Sequence, residues 1–212
     1  KVHAKILLVV RKENDTIRRY IHLATGNYNP KTANLYSDIS LFTSNQQIAN
    51  DATMFFNLVT GYSTLQKMQH LAMAPVSLKD KLLAMIQREI DRSTPEQPGL
   101  IIAKMNSLTH IDIINALYKA SQAGVKIQLN IRGICMLVPG VKGLSENINV
   151  ISIIDRYLEH SRIFYFQNAG SPELYCSSAD WMSRNLDRRI ELMFPILDKN
   201  AFSDVKSILD TY

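Results

Sequence analysis

Short apolar runs alternate along the chain with longer segments whose apolar residues recur every three to four positions, which predicts a layered α/β protein. The short runs predict strands near 2–10, 17–24, 36–42, 69–73, 100–105, 125–131, 148–154, 161–167, 173–177 and 187–195. The helical pattern recurs over 44–59, 77–92, 109–123 and 198–210. Ser44 is the expected N-cap of the first helix, with Gln47 as its capping-box partner.

A polar, weakly periodic stretch over 60–70 predicts a boundary between two domains. On this interpretation residues 1–68 form the first domain and residues 69–212 the second. The second contains a strand, a helix and a strand over 100–131, with Gly124 just after the helix, and this order is typical of a βαβ unit.

One chemical pattern occurs twice, about 150 residues apart. His3 is followed by Lys5 and an apolar run, and His160 is followed by Arg162 and another apolar run. Both runs predict buried strands. Because residues i and i+2 of a strand project to the same face, we expect each imidazole to lie beside a cation.

Residues downstream of the two histidines also correspond. Each copy places a hydroxyl residue 13 positions before a carboxylate, Thr25 before Asp38 and Ser178 before Glu191. Between them, Gly26, Asn27, Tyr28 and Lys31 align with Ala179, Asp180, Trp181 and Arg184. The match predicts an internal duplication of one half-site. We expect the carboxylates to orient histidines or lysines, because they do not form the cluster of oxygen ligands that magnesium prefers.

Two histidines with neighbouring cations favour phosphoryl chemistry. A neutral imidazole nitrogen is a good nucleophile towards phosphorus, and a nearby ammonium or guanidinium group disfavours the imidazolium form. The same cations, Lys5 and Arg162, would neutralise the oxygens of a transferring phosphoryl group. Lys104, Asn106 and Asn27 lie near predicted strand ends and are further candidates for phosphate contact.

Composition adds a charge argument. The 212 residues carry a formal net charge of +5, which favours a polyanionic partner such as a nucleotide, polyphosphate, nucleic acid or anionic lipid. The two cysteines give neither a disulfide framework nor metal-ligand spacing, as is typical of a cytosolic protein. No apolar run reaches the roughly 18 residues of a membrane span. Because the chain begins without Met, two residues before a candidate catalytic histidine, we expect it to be a fragment.

Several ordered strings carry a family resemblance. They are His3-Ala4-Lys5, 22–29 (HLATGNYN), 35–38 (LYSD), 120–125 (ASQAGV), 131–135 (IRGIC), 156–160 (RYLEH) and 178–182 (SADWM). Together they resemble the C-terminal half of bacterial polyphosphate kinase of family 1, which is similar to the phospholipase D superfamily. The resemblance implies two phospholipase D-like α/β lobes with mixed sheets flanked by helices, the first lobe being incomplete.

The same resemblance implies reversible transfer of the terminal phosphate of ATP to polyphosphate, with Mg²⁺. It implies that His3 becomes the phosphohistidine and that His160 acts opposite it, as acid/base or transition-state stabiliser. Tyr36 and Arg132 match positions that contact the nucleotide, while Lys5, Arg162 and His160 are expected to bind ATP or polyphosphate. The expected partners are therefore ATP/ADP and polyphosphate rather than nucleic acid. We also expect a homo-oligomeric full-length protein in the cytoplasm, with peripheral membrane association as a further expectation.

Two alternatives remain open. One is a phosphodiesterase of phospholipase D type, although Arg162 replaces the Lys of that pattern and neither copy keeps its Asp at the usual spacing. The other is a polyanion-binding module without catalysis, because the family has an N-terminal half whose arginines bind the metal–phosphate group. The chain would then carry the nucleophile and still be inactive.

Overall fold

The computed structural model describes residues 1–62, 64 and 67–212, which form strands, helices and short turns. The strands are β1 (Lys5–Glu13), β2 (Thr16–Ala24), β3 (Tyr36–Ser37), β4 (Ser40–Thr43), β5 (Ala72–Ala74), β6 (Leu100–Met105), β7 (Lys126–Ile131), β8 (Ile148–Ile151), β9 (Leu158–Glu159), β10 (Arg162–Phe166), β11 (Glu173–Ser177) and β12 (Glu191–Pro195). The helices are α1 (Pro30–Ala33), α2 (Gln46–Val59), α3 (Leu78–Arg92), α4 (Ile111–Gln122) and α5 (Lys199–Asp210). A 3-10 turn covers Asn168–Gly170, and a π-helical turn covers Arg184–Arg188.

The larger sheet of the described residues has seven strands in the order β5-β12-β11-β10-β6-β7-β8. β6, β7 and β8 run parallel, whereas the other neighbours are antiparallel. On one face, apolar side chains of α3 and α4, such as Leu82 and Leu117, pack against sheet residues such as Phe164. A mixed sheet flanked by helices confirms the predicted α/β class.

The opposite face of this sheet is covered by elements from both ends of the chain. The antiparallel sheet β1-β2-β4, α2 and α5 contribute Leu23, Phe55 and Leu209 to one cluster with Ile163 and Leu192 of the larger sheet. The two predicted domains therefore share this core. The boundary at 68/69 stays a prediction, and positions 63, 65 and 66 of the boundary stretch lie outside the described residues.

The two strands that follow the histidines differ in burial. All five residues of β10 are buried, because β10 lies inside the seven-stranded sheet and is covered on both faces. β1 lies at the edge of the three-stranded sheet, where Ile6 and Leu8 face the core but Leu7 is 49% and Val9 40% exposed. The prediction of a buried strand was thus correct for the second copy and wrong for the first.

Three local predictions were also wrong. Asn45, rather than Ser44, caps α2, because its side chain accepts hydrogen bonds from the backbone N–H groups of Gln47 and Ile48. The strand predicted over 36–42 divides in two, because β3 pairs with β9 whereas β4 pairs with β2. The strand predicted from 187 begins at 191, after the π-helical turn. Among the described residues, no helix is long and apolar enough to cross a membrane.

Candidate active site

Each of the two histidines is bonded to the carboxylate of the other sequence copy. The Nδ1 atom of His3 lies 2.9 Å from Oε2 of Glu191, and Nδ1 of His160 lies 2.8 Å from Oδ1 of Asp38. An ionised carboxylate accepts hydrogen bonds and donates none, so Nδ1 carries the ring proton in both pairs. The crossed pairing therefore leaves Nε2 of each ring without a carboxylate partner.

The hydroxyl residues that align in the sequence hold these two carboxylates. Thr25 donates to Oδ1 of Asp38 at 2.7 Å, and Ser178 donates to Oε2 of Glu191 at 2.5 Å. Asn185, in the π-helical turn, adds a hydrogen bond of 3.2 Å to the other oxygen of Glu191. The correspondence between the copies is thus repeated in their contacts, and both carboxylates orient histidines as expected. The role of Asn185 had no signal in the sequence pattern.

Short backbone connections bring the two copies together. The N–H of His3 donates to the carbonyl of Ile190, which directly precedes β12 and Glu191. The N–H of His160 donates to the carbonyl of Ser37, at the end of the β3–β9 pair. Each histidine therefore lies just before its strand, next to the segment that supplies its carboxylate.

Lys5 is the cation closest to the first imidazole. Its side chain is buried, and Nζ lies 3.1 Å from each ring nitrogen of His3. Burial lowers the pKa of Lys5 to about 8, with Arg162 and Arg189 acting in the same direction and Glu191 opposing them. With a pKa of about 8 the ammonium form predominates at neutral pH, so a positive charge stands equally close to both ring nitrogens of His3.

Arg162 is arranged differently from Lys5. Its Nε and Nη2 atoms donate to both carboxylate oxygens of Asp180 at 3.2 and 3.1 Å, while Nη1 donates to the backbone carbonyl of His160 at 2.6 Å. The guanidinium group therefore holds the main chain at His160, and its charge lies close enough to lower the pKa of the His160 ring. Asp180 fixes this arrangement, because a carboxylate binds the planar guanidinium in two places, whereas the first copy has neutral Asn27 at that position.

The ring of His160 is buried against Tyr36, with ring centroids 4.9 Å apart. Burial lowers the pKa of His160, and the charges of Arg162 and Lys5 add to this effect although Asp38 opposes it. For Asp38, burial alone would raise the pKa, but the hydrogen bonds from His160 and Thr25 hold it below its usual range. The pair is therefore neutral imidazole and ionised carboxylate at neutral pH.

Arg132 directly follows the last residue of β7 and is half-buried. Its Nε donates to the backbone carbonyl of Glu159 at 2.7 Å, which places it beside the residue that precedes His160. Among the described residues, no hydrogen bond engages its terminal nitrogens. Tyr36 and Arg132 thus both lie next to the His160 segment, and their contact with nucleotide stays a prediction.

The described residues do not suit a metal ion held by the protein. They contain no group of three or more His, Cys, Asp or Glu side chains placed to bind one. The carboxylates of this region are already engaged by imidazole, hydroxyl, amide or guanidinium groups. We therefore assign no step to a protein-bound metal.

The fold and the site define a mixed α/β protein with two interlocked histidine half-sites. The chain belongs to the polyphosphate kinase family: residues 1–65 match the family's "Polyphosphate kinase C-terminal domain 1", and residues 71–212 match "Polyphosphate kinase C-terminal domain 2". This confirms the resemblance seen in the sequence strings.

Individual relatives agree with this assignment. The chain is 54% identical over 212 residues to a polyphosphate kinase of Rhodopirellula baltica, covering 100% of this chain and 25% of that protein. It is 54% identical over 209 residues to one of Synechocystis, covering 99% and 29%. The crystal structure of polyphosphate kinase from Porphyromonas gingivalis matches with a TM-score of 0.93 and 40% identity, over 99% of this chain and 33% of that chain. The chain thus spans between a quarter and a third of the length of these relatives.

Proposed function

We propose that this chain is a C-terminal catalytic part of a polyphosphate kinase, which transfers the terminal phosphate of ATP reversibly to inorganic polyphosphate through a phosphohistidine on His3. The observation that carries the proposal is the crossed pairing, His3 with Glu191 and His160 with Asp38. It presents two oriented imidazoles, and the buried cation Lys5 lies beside that of His3. Family membership supports the substrates.

In the first step, Nε2 of His3 attacks the γ-phosphorus of ATP. A bond forms between this nitrogen and phosphorus, and the bond from phosphorus to the bridging oxygen breaks, so that ADP leaves with the electron pair. Glu191 accepts the Nδ1–H bond and stabilises the positive charge that develops on the ring. The Lys5 ammonium lies 3.1 Å from Nε2, where it would offset negative charge on the transferred oxygens.

In the second step, a terminal oxygen of polyphosphate attacks the phosphorus, and the bond to Nε2 of His3 breaks. Because both steps exchange one high-energy phosphorus bond for another, the reaction is reversible. His160, held by Asp38, acts on the opposite side as transition-state stabiliser or acid/base. We assign Tyr36 and Arg132 to the nucleotide, since both border the His160 segment.

We further propose that Mg²⁺ would enter as part of the nucleotide complex. Homo-oligomer formation and peripheral membrane association of the full-length protein also stand as proposals, the latter on the strength of the net charge of +5.

The test is phosphate transfer by the full-length protein. Incubation with γ-labelled ATP should give an acid-labile protein label that chases into polyphosphate, and His3→Gln should abolish both. His22→Gln is the matched control, because His22 bonds to Tyr28 and packs against Phe42 on the outer side of the small sheet. Label that persists in His3→Gln would overturn the role of His3.

The same preparation separates the alternatives. Hydrolysis of bis(4-nitrophenyl) phosphate without ATP, together with absence of label, would favour a phosphodiesterase. Salt-sensitive polyphosphate binding without label or turnover would favour a binding module.

A further inference from the structure

A buried lysine lies beneath the second half-site. Lys104, in β6, is 2% exposed and belongs to the largest fully buried side chains of the protein. Its Nζ lies 2.9 Å from Oε2 of Glu159 and donates to Oγ of Ser161 at 2.8 Å and to the carbonyl of Ser161 at 3.3 Å. Glu159 and Ser161 are the two residues that flank His160.

Glu159 is held by other groups as well. The hydroxyl of Tyr212 donates to its Oε2 at 2.7 Å, and Arg132 donates to its backbone carbonyl at 2.7 Å. The cluster of Lys104, Glu159, Ser161 and Tyr212 thus fixes the main chain on either side of His160.

The geometry leaves Lys104 no unused proton for direct phosphate contact. An ammonium group has three protons, and Glu159, Oγ of Ser161 and the Ser161 carbonyl account for all three. Nζ is also buried, so a substrate would have to displace one of these partners. Contact between Lys104 and phosphate stays a prediction, and it would require such a displacement.

Stability alone does not account for the lysine. Its neighbours in β6 are apolar residues such as Ile102 and Met105, and an apolar side chain of similar volume is often as stabilising as a buried ion pair. Burial lowers the pKa of Lys104, and the charge of Arg162 lowers it further, whereas Glu159 raises it. Lys104 is thus a desolvated cation whose polar contacts are all with the two residues that flank His160.

We propose that Lys104 is a positioning residue that holds Glu159 and Ser161 and so sets the imidazole of His160 against Asp38. This inference rests on the proposed function, in which His160 acts opposite His3.

The experiment compares three variants of the full-length protein. Lys104→Met removes the cation and keeps a long apolar side chain. Lys104→Met/Glu159→Gln also neutralises the carboxylate that would otherwise be left unpaired. Lys81→Met is the matched control, because Lys81 is a partly buried lysine with a lowered pKa that contacts the His70 carbonyl and the Tyr175 ring instead.

We expect Lys104→Met to lower kcat by about 100-fold, since displacement of a catalytic group by about 1 Å has an effect of that size. KM for ATP should stay nearly unchanged, because the loss falls on the transition state. The double variant should regain much of the stability but not kcat. Lys81→Met should lose stability and keep kcat. In a crystal structure of Lys104→Met, the 2.8 Å bond between His160 and Asp38 should be lengthened.

Two results would overturn the inference. One is a double variant in which kcat recovers together with stability. The other is an unchanged bond between His160 and Asp38 in Lys104→Met. The crystallographic result decides the inference even if the wild-type protein makes no polyphosphate, an outcome that would contradict the proposed function instead.

Discussion

Gly26 offers a way to disturb the second half-site without replacing any residue assigned to the reaction. A Cβ at position 26 would stand 2.8 Å from the Cβ of Asp38 and closer still to its carboxyl group. Ordinary contact between such atoms needs about 3.5–4.0 Å. Gly26 does not adopt the left-handed backbone conformation, so the clash with Asp38 is the obstacle that Gly26→Ala introduces.

The size of the effect follows from this distance. Asp38 must move by about 1 Å to reach ordinary contact with the new methyl group. Its Oδ1 accepts bonds of 2.8 Å from His160 and 2.7 Å from Thr25, and such bonds are lost on a displacement of this size. We expect Gly26→Ala to lower kcat for polyphosphate synthesis by about 100-fold, and the free energy of unfolding by about 1–3 kcal/mol through overpacking.

The assay measures kcat with ATP in the full-length protein and stability by urea unfolding. Ala179→Gly is the matched control, because Ala179 holds the corresponding position in the other copy and the change removes a methyl group instead of adding one. It should lower stability by up to about 1 kcal/mol, because glycine gives the unfolded chain more conformational freedom, and leave kcat within about twofold of wild type. A Gly26→Ala protein with wild-type kcat would refute the reasoning, as would equal losses of kcat in both variants.

Three further predictions concern charged residues. Activity that needs the Lys5 ammonium should fall as pH rises through about 8, and Lys5→Arg should move this fall in kcat to higher pH. The free energy of unfolding of the wild type, relative to that of Lys5→Met, should rise between pH 8 and 10.5. The reason is that Lys5 binds its proton more tightly in the unfolded chain than in the folded protein. Asp51→Ala should destabilise the fold by about 3 kcal/mol or more in urea, because the buried carboxylate accepts three backbone N–H groups over 69–71. Arg162→Lys should lower the free energy of unfolding by about 2 kcal/mol, since lysine cannot bind Asp180 in two places; an unchanged urea midpoint would contradict either of the last two.

Much of the larger sheet was predictable because its signals are local. The bounds of β6 and β11 agree with the predicted runs 100–105 and 173–177. Helices cover one face of these strands, and the smaller sheet and further helices cover the other. Because both faces are buried, successive residues are mostly apolar, which is the pattern that predicts such a strand. The burial of β1 was not predictable from the same kind of run, because exposure there depends on what covers a sheet face rather than on the strand.

The site was half predictable for a related reason. The repeated spacing identifies His3, His160, Asp38 and Glu191 as equivalent groups in two copies. It is equally compatible with pairing inside each copy and with pairing between copies. The choice depends on backbone contacts such as that of His3 with Ile190, which no local pattern encodes.

The crossed pairs also have a consequence for the order of folding. The partners of one pair are 188 residues apart in the chain and those of the other 122. During synthesis, His3 therefore emerges long before Glu191 exists to orient it. Contacts of such long range close late, after the loops between them have been ordered. A nascent or half-folded chain consequently holds unoriented imidazoles. The site can form only when the seven-stranded sheet is completed by β12, the last of its strands along the chain.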